Sequence, residues 1–467
     1  MKRTILCLIL ALLCLVSIPV MGLGLQRNIQ DTELTHTVLS GDPEAAEGLT
    51  LGLVSCYRNL FWKQELQAGQ EPTVETDFFL GSAAGKMNEG WFIESVPGGR
   101  EDLWKEWYLQ DWREEKLEQN RLVLYTNSYD EKIDELYRNL VDGMKPGQEQ
   151  EVLVDLSSYY DYYPYFLGSR YVDWLNAANG GDFIRRPVEE GHIVKMTVRK
   201  DSDNSSSQGM EEIAPEDMGY VGAFSAPVGQ GCFVAQSFDE LVEPEESWLP
   251  WGFGLFYVPV TETAWEEMPG ITYLQPQYDE RICVVPLNLE TDRVVALDSD
   301  PEGESVHMVT RESGVCWLTS LSADGTVRSR LQLPEALGQE MELKVRRGFL
   351  VLRGQSGCLA VCTIGADGAA ALDFCVADSL EKENWNVRWW EDVALAYRNG
   401  SLAVAFGTAG LDKWGDRTGR LGTVVQILDA SGMVYAGVYT SGPEDAWAYN
   451  HGEVSLYEIR PWICWTS

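Results

Sequence analysis

The chain has 467 residues, and its 72 acidic side chains against 36 Lys and Arg give a formal net charge of −36. A surface this negative repels phosphate backbones and anionic lipid headgroups, which argues against a nucleic-acid-binding protein. Hydrophobic residues make up 45% of the chain and aromatic residues 11%, a composition that excludes a disordered chain and favours a folded, strand-rich one.

The first residues have the pattern of an export segment. Lys2 and Arg3 precede an uncharged run, residues 5–16, made mostly of Leu, Ile and Ala. A positive start before an apolar stretch of about 7–15 residues is typical of a signal peptide. The apolar sequence continues to residue 25, which is roughly long enough to span a bilayer. Residues 1–25 are therefore a signal peptide or, the interpretation we favour, an N-terminal membrane anchor, and both place the body of the protein outside the cytoplasm.

Residues 26–47 are polar and predict a tether, and residues 48–150 predict a small α+β portion. The clearest element of this portion is a helix near residues 129–142, where apolar side chains recur at the spacing of one helical face. These side chains are Ile133, Leu136, Tyr137, Leu140 and Val141. A helix with one apolar face is expected to pack on a sheet.

From residue 151 to residue 467, short β-favouring runs alternate with turns. Asp-Gly and Asn-Gly between such runs are strong local signals for a β-hairpin. The predicted hairpin turns are Glu290–Asp292, Asp324–Gly325, Asp367–Gly368, Asn399–Gly400 and Ser431–Gly432. The sequence therefore predicts a mainly β fold, a β-propeller-like antiparallel meander, with tandem β-sandwiches as the alternative.

A run of tyrosines provides the candidate binding residues. Tyr159, Tyr160, Tyr162, Tyr163 and Tyr165 follow a predicted strand. Exposed rings at this density suit a platform for a sugar or a peptide, and the same run also fits an edge strand with rings on both faces. The sequence is compatible with both a binding platform and an edge strand.

An acidic loop provides the candidate metal ligands. Asp298, Asp300, Glu302 and Glu304 alternate in the way that opens a calcium loop. The Glu that closes such a loop at its twelfth position is missing, because Val309 stands there. The alternative is a solvated acidic turn, and no other cofactor is expected.

Catalytic residues are not assigned. The chain has only four His, none of them paired at metal-ligand spacing, and it contains no Gly-x-Ser-x-Gly elbow and no phosphate-binding glycine loop. Its cysteines form no Cys-x-x-Cys pair, and those beyond the leader are predicted to be free thiols rather than a disulfide framework.

Together these features predict an extracytoplasmic, membrane-tethered, β-rich protein that acts as a non-enzymatic binding or sensor module. Its partner is expected to be another protein or a component of the cell envelope, and the charge favours a basic surface on that partner. Contact with the membrane would be made by residues 5–25. The alternative function is an extracytoplasmic carbohydrate-active enzyme with a pair of carboxylates, which the sequence does not locate.

Overall fold

The computed structural model describes residues 34–57, 60–72, 75–80, 131–159, 161–162, 183–200, 206–214, 221–228, 231–238, 242–264, 272–300, 304–355, 357–377, 393–411, 417–441 and 457–465. The export segment predicted at residues 1–25 lies outside these ranges. Within them, no helix combines the length and the apolar character needed to cross a membrane.

Strands dominate the described residues, which contain one α-helix, α1 (Glu131–Gly143). The strands that precede residue 240 are β1 (Thr35–Gly41), β2 (Leu49–Tyr57), β3 (Leu60–Gln67), β4 (Glu75–Leu80), β5 (Gln148–Asp155), β6 (Ile193–Lys200), β7 (Ser206–Ala214), β8 (Val221–Val228) and β9 (Gly231–Phe238). The next are β10 (Gly254–Ala264), β11 (Thr272–Pro276), β12 (Ile282–Pro286), β13 (Asp292–Ser299), β14 (Ser305–Glu312), β15 (Val315–Ser322), β16 (Val327–Gln332), β17 (Met341–Arg346) and β18 (Phe349–Gly354). The last are β19 (Cys358–Ile364), β20 (Ala370–Ala377), β21 (Ala394–Arg398), β22 (Ser401–Leu411), β23 (Arg417–Asp429), β24 (Gly432–Ser441) and β25 (Tyr457–Trp465).

Most sheets are meanders in which neighbours in sequence are neighbours in space. Strands β13 to β16 form one four-stranded sheet, β17 to β20 form another, and β8 to β11 form a third to which β12 is added beside β10. A four-stranded antiparallel meander is the unit of a propeller blade. The prediction of a mainly β, propeller-like meander is confirmed.

The chain divides into two compact units. One contains β1 to β4 together with residues 373–467, and the other contains α1 and strands β5 to β18. The division falls within β19 and β20.

The predicted helix is confirmed as α1, and its apolar face packs on the three-stranded sheet β5-β6-β7. Leu136, Tyr137, Leu140 and Val141 lie against a core whose buried members include Met196. The opposite face of β5 and β6 is mostly polar, with Leu153 as an exposed exception, as expected for strands that alternate between a core and solvent. The packing of this apolar face on the sheet therefore accounts for the helix.

Local turn chemistry predicted most hairpins correctly. Strands β21 and β22 pair across Asn399-Gly400, whose φ angles of 49° and 82° are those of a type I′ turn. The turn at Gly325 joins β15 to β16, and there Asp324 accepts a hydrogen bond from the Thr326 backbone N–H at 3.0 Å. The hairpins with turns at Asp367–Gly368 and Ser431–Gly432 are confirmed as well.

The hairpin predicted around Glu290–Asp292 is wrong, although both of its strands exist. Strand β12 pairs with β10, and β13 pairs with β14. The connecting residues fold on themselves, because Asp292 donates its backbone N–H to the Asn288 carbonyl at 2.8 Å and its carboxylate accepts the Asn288 N–H at 2.9 Å. This turn leads the chain out of one sheet and into the next.

The two ends of the described chain complete sheets in the first unit. Strand β1 adds to the order β24-β23-β22-β21, and β25 adds to β2-β3-β4. Thr35–Gly41 falls inside the range predicted as a tether, so that prediction is wrong for these residues. Their polarity reflects an edge strand with one exposed side, which resembles a loop in composition.

Side chains attach β1 to its neighbour. The His36 ring stacks on Tyr439 at 4.7 Å, and its Nε2 lies 2.9 Å from the Tyr435 hydroxyl. The Gly69 backbone N–H donates to the Tyr439 hydroxyl at 2.7 Å. Burial lowers the pKa of His36, and the charge of Glu71 opposes this. His36 is therefore held as a neutral ring against two fully buried tyrosines.

Candidate functional site

The predicted tyrosine platform is only partly within the described residues, since Tyr160, Tyr163 and Tyr165 lie outside them. Tyr159 follows a short 3₁₀ turn and packs against the core beneath α1. Tyr162 is 47% exposed, and its backbone forms an isolated antiparallel β-bridge with Pro187. Of the two described tyrosines, Tyr162 is thus the one whose ring is accessible to solvent.

Tyr162 borders a segment that carries two arginines. Arg185 lies with its guanidinium carbon 6.0 Å from the centre of the Tyr162 ring, at the outer limit of a cation–π contact. The Arg185 backbone N–H donates to the Trp248 carbonyl at 2.7 Å, which fixes the segment beside the 3₁₀ turn Glu246–Trp248. Arg186 lies 5.5 Å from the Trp248 ring.

A third pair adjoins the first two. Trp251 carries Arg281 over its ring at 4.4 Å. The same Trp251 ring makes edge-on contacts with Phe183 at 4.9 Å and Phe256 at 5.7 Å. Trp248 and Trp251 pack against the hydrophobic core that contains the fully buried Phe183, so two of the three pairs are anchored there.

We call this surface the arginine–aromatic ledge, and it consists of Tyr162, Arg185, Arg186, Trp248, Trp251 and Arg281. Arg186 has a positioning role, because its side chain is only 10% exposed and it pairs with Glu189 at 3.1 Å. A guanidinium that stacks on a ring uses none of its five N–H donors in that contact. Stacking therefore holds the rings and the guanidinium groups of the ledge against one another.

Exposed acidic side chains flank the segments of the ledge in the sequence. The rim of the ledge is defined by the exposed carboxylates Glu189, Glu245, Glu246, Asp279 and Glu280. Glu246 opens the turn that contains Trp248, and Glu280 directly precedes Arg281. The five carboxylates of the rim outnumber the three arginines of the ledge, so these segments together carry a net negative charge.

The candidate calcium ligands lie at the β13–β14 connection, where Glu302 is outside the described residues. Asp298 is partly buried and accepts the Val345 backbone N–H at 2.7 Å and the Ser299 N–H at 2.9 Å. Asp300 accepts the Glu304 N–H at 2.9 Å and the Ser305 hydroxyl at 2.8 Å. These carboxylates thus form protein hydrogen bonds, and calcium binding by the full set stays a prediction.

Next to this connection lies a buried polar network that sequence reasoning missed. His307 is fully buried, with Nε2 3.1 Å from the Ser305 hydroxyl and Nδ1 3.0 Å from the Ser320 hydroxyl. Because the Ser305 hydroxyl donates to Asp300, the Nε2 of His307 carries the proton and Ser320 donates to Nδ1. Both hydroxyls are buried, so the network serves the interior of the sheet rather than a substrate.

Neither metal-binding nor thiol chemistry adds a second site in the described part of the chain. That part contains no group of three or more His, Cys, Asp or Glu side chains arranged to hold a metal ion. The cysteines of that part whose thiols are outside any disulfide are Cys232, Cys283, Cys316, Cys358, Cys362, Cys375 and Cys464. The ledge is the best-defined candidate for function.

Comparisons with known proteins add no name. No family model matches the chain, and no curated protein matches it. Among solved structures, it is similar to the β-propeller domain of Cps50 (Swd1) from Myceliophteria thermophila at 10% identity, with 53% of this chain and 79% of that chain covered and a TM-score of 0.24. TolB from Acinetobacter baumannii matches at 9% identity over 89% of this chain and 82% of that chain, with a TM-score of 0.22. Scores this low carry no argument, and the propeller-like class rests on the sheets described above.

Proposed function

We propose that the chain is an extracytoplasmic, membrane-tethered, non-enzymatic binding module and that the arginine–aromatic ledge is its contact surface for a protein partner. The observation that carries the proposal is the composition of the ledge. Tyr, Trp and Arg are the residue types most enriched among the side chains that dominate protein–protein binding energy. Here they lie in stacked pairs on three neighbouring segments.

The packing of the ledge supports this role. Trp251 is held by Arg281 on its face and by phenylalanines at its edge, and Trp248 is fixed through its carbonyl. A side chain that is already ordered loses less conformational entropy when a partner binds, so more of the contact energy appears as affinity. The carbohydrate-active alternative stays a prediction, because its two carboxylates have no assigned residues.

Photo-crosslinking in intact cells tests the ledge. A photoreactive amino acid at Tyr162, which is 47% exposed, is expected to give a discrete crosslinked species, whereas the same probe at Val327, which is 51% exposed, is not. The variant R281A/W251A is expected to abolish the species, because it removes the best-stacked pair of the ledge. The matched control is R330A/W317A, which removes an arginine–tryptophan pair of 4.6 Å on another sheet. Equal crosslinking from both probe positions, or loss of the species in both variants, would contradict the proposal.

Protease shaving of intact cells tests the location. The body of the protein is expected to be digested while a cytoplasmic marker survives, and the full-length chain is expected in the membrane fraction. A chain that lacks residues 1–25 should be neither digested by the external protease nor recovered in the membrane fraction. The reason is that the apolar segment partitions the N-terminus into the bilayer. Recovery of the intact, full-length chain from the cytosol would rule out the proposed location.

A further inference from the structure

We infer that the partner of the ledge presents a basic, Lys/Arg-containing peptide segment. This inference rests on the proposed function and names the chemistry of the partner at the same surface. It follows from the charges around the ledge together with the open aromatic and apolar positions on it.

Charge complementarity gives the sign of the partner. The carboxylates of the rim are exposed, and a formal net charge of −36 extends the same sign over the whole chain. Opposite charge on a partner accelerates encounter and selects the correct register, whereas like charge is penalised. An acidic peptide would meet like charge at the rim, whose five carboxylates outnumber the three arginines of the ledge.

The rings of the ledge give the partner a second type of contact. Each ring already stacks with one guanidinium of this chain, which establishes that the geometry around Tyr162, Trp248 and Trp251 accepts a planar cation. Tyr162 retains the largest exposure of the three and can receive an incoming Arg or Lys. A carboxylate from the rim would then pair with the same cation, as in charge-assisted hydrogen bonds elsewhere in proteins.

An apolar position completes the surface. Ile282 follows Arg281 directly and is 59% exposed at the start of β12. A large exposed aliphatic side chain beside stacked aromatics is a natural anchor for an apolar residue of a bound segment. This aliphatic anchor favours a peptide over a sugar, because a sugar has no aliphatic side chain to place against Ile282.

Fluorescence anisotropy with defined peptides tests the inference on the full chain in detergent. The probe is a labelled ten-residue peptide of Arg, Lys and Leu, and its counterparts replace every cation by Gln or by Glu. The basic peptide is expected to bind at least about ten-fold more tightly than either counterpart, and its affinity is expected to fall as salt rises toward 0.5 M, since salt screens exposed charges.

Rim variants locate the effect. E245Q/E246Q/D279N/E280Q is expected to weaken binding of the basic peptide roughly ten-fold, because each exposed ion pair contributes a modest amount. The matched control E290Q/E304Q/E335Q/E340Q also removes four exposed carboxylates, none of them in the rim, and should leave the affinity unchanged. Unchanged thermal unfolding midpoints in both variants separate lost binding from lost folding.

Other outcomes overturn the inference without touching the proposed function. Tighter binding of the acidic peptide, no binding of any peptide, or equal loss in the rim and control variants would each show that the partner is not basic. The crosslink at Tyr162 would survive in that case, whereas failure of the proposed function would remove the crosslink as well.

Discussion

Replacing Asp298 by Asn is expected to make the free energy of unfolding fall more steeply on acidification, and replacing His307 by Gln is expected to make it fall less steeply. Both effects lie between the folded-state pKa values of about 6 for Asp298 and about 4 for His307. Asp298 and His307 are of opposite charge type and are paired across β13 and β14, so their effects on the pH dependence should mask each other in the unaltered chain.

His307 destabilises the folded state in acid. Burial lowers its pKa from 6.5 to about 4, with the charge of Asp300 opposing the shift. Between these values the unfolded chain binds a proton that the folded chain does not. Its contribution to stability is thus complete above pH 6.5 and is lost as the pH falls, by roughly 3 kcal/mol in total.

Asp298 has the opposite sign. Burial raises its pKa from 3.8 to about 6, although hydrogen bonds from the Val345 and Ser299 backbones and the charges of Arg346 and Lys344 favour the carboxylate. Between those values the folded chain binds the proton and the unfolded chain does not. Acidification from pH 6 to pH 3.8 therefore stabilises the fold through Asp298 by roughly 3 kcal/mol, which offsets the loss through His307.

Urea unfolding at several pH values from 4 to 6 measures these slopes. Relative to the unaltered chain, the free energy of unfolding of D298N should fall by about 1.4 kcal/mol more per pH unit of acidification. That of H307Q should fall by a similar amount less, and the double variant should restore the original slope. The slope is the readout rather than the absolute stability, because an asparagine amide keeps only one of the two acceptor oxygens that Asp298 offers. Parallel pH profiles for the unaltered chain and both single variants would contradict the assignment.

The elements predicted correctly from sequence are those whose cause is local. Asn399-Gly400 specifies its own turn, since both residues adopt positive φ and the flanking runs favour strands. The helix α1 is specified by the spacing of Leu136, Tyr137 and Leu140. In both cases the residues that determine the element lie close together in the sequence, so turn propensity and hydrophobic periodicity are enough to predict it.

Pairings between distant segments could not be predicted in this way. Thr35 on β1 contacts Thr440 on β24, 405 residues along the chain, and nothing in either strand identifies the other. Strand β12 was expected to pair with its neighbour in sequence and instead pairs with β10. A β-favouring run predicts a strand, whereas its partner is decided by the packing of whole sheets.

The candidate site was predicted in one residue and missed in the others. Tyr162 belongs to the run selected for its aromatic density, but Trp248, Trp251 and Arg281 lie far from it in sequence. The adjacent arginines at 185 and 186 gave no distinguishing signal, because Arg199-Lys200 and Arg346-Arg347 are also adjacent cations. Their pairing with aromatic rings depends on three segments meeting on one core, which composition does not encode.

Replacing Gly41 by Ala is expected to detach β1 and to destabilise the first unit by about 2–4 kcal/mol. Gly41 ends β1 with a φ of 76°, and a Cβ added there would overlap the Val434 backbone carbonyl. The same carbonyl accepts the Asp42 N–H at 3.0 Å, so it cannot retreat without losing that hydrogen bond. Both the backbone conformation and the close approach therefore require glycine.

Gly348→Ala is the matched control, because Gly348 has a φ of 79° and open space around its Cα. It carries the cost of the left-handed conformation, about 1–2 kcal/mol, without the overlap. Thermal unfolding compares the two variants, and hydrogen exchange of the amides in β1 and β24 reports whether the strand has separated. We expect faster exchange in β1 for G41A alone, since loss of the β1 ladder also frees His36 from Tyr435. Equal destabilisation by both variants, with the β1 amides still protected, would mean that the edge strand tolerates the overlap. The attachment of β1 to β24 would then not depend on Gly41.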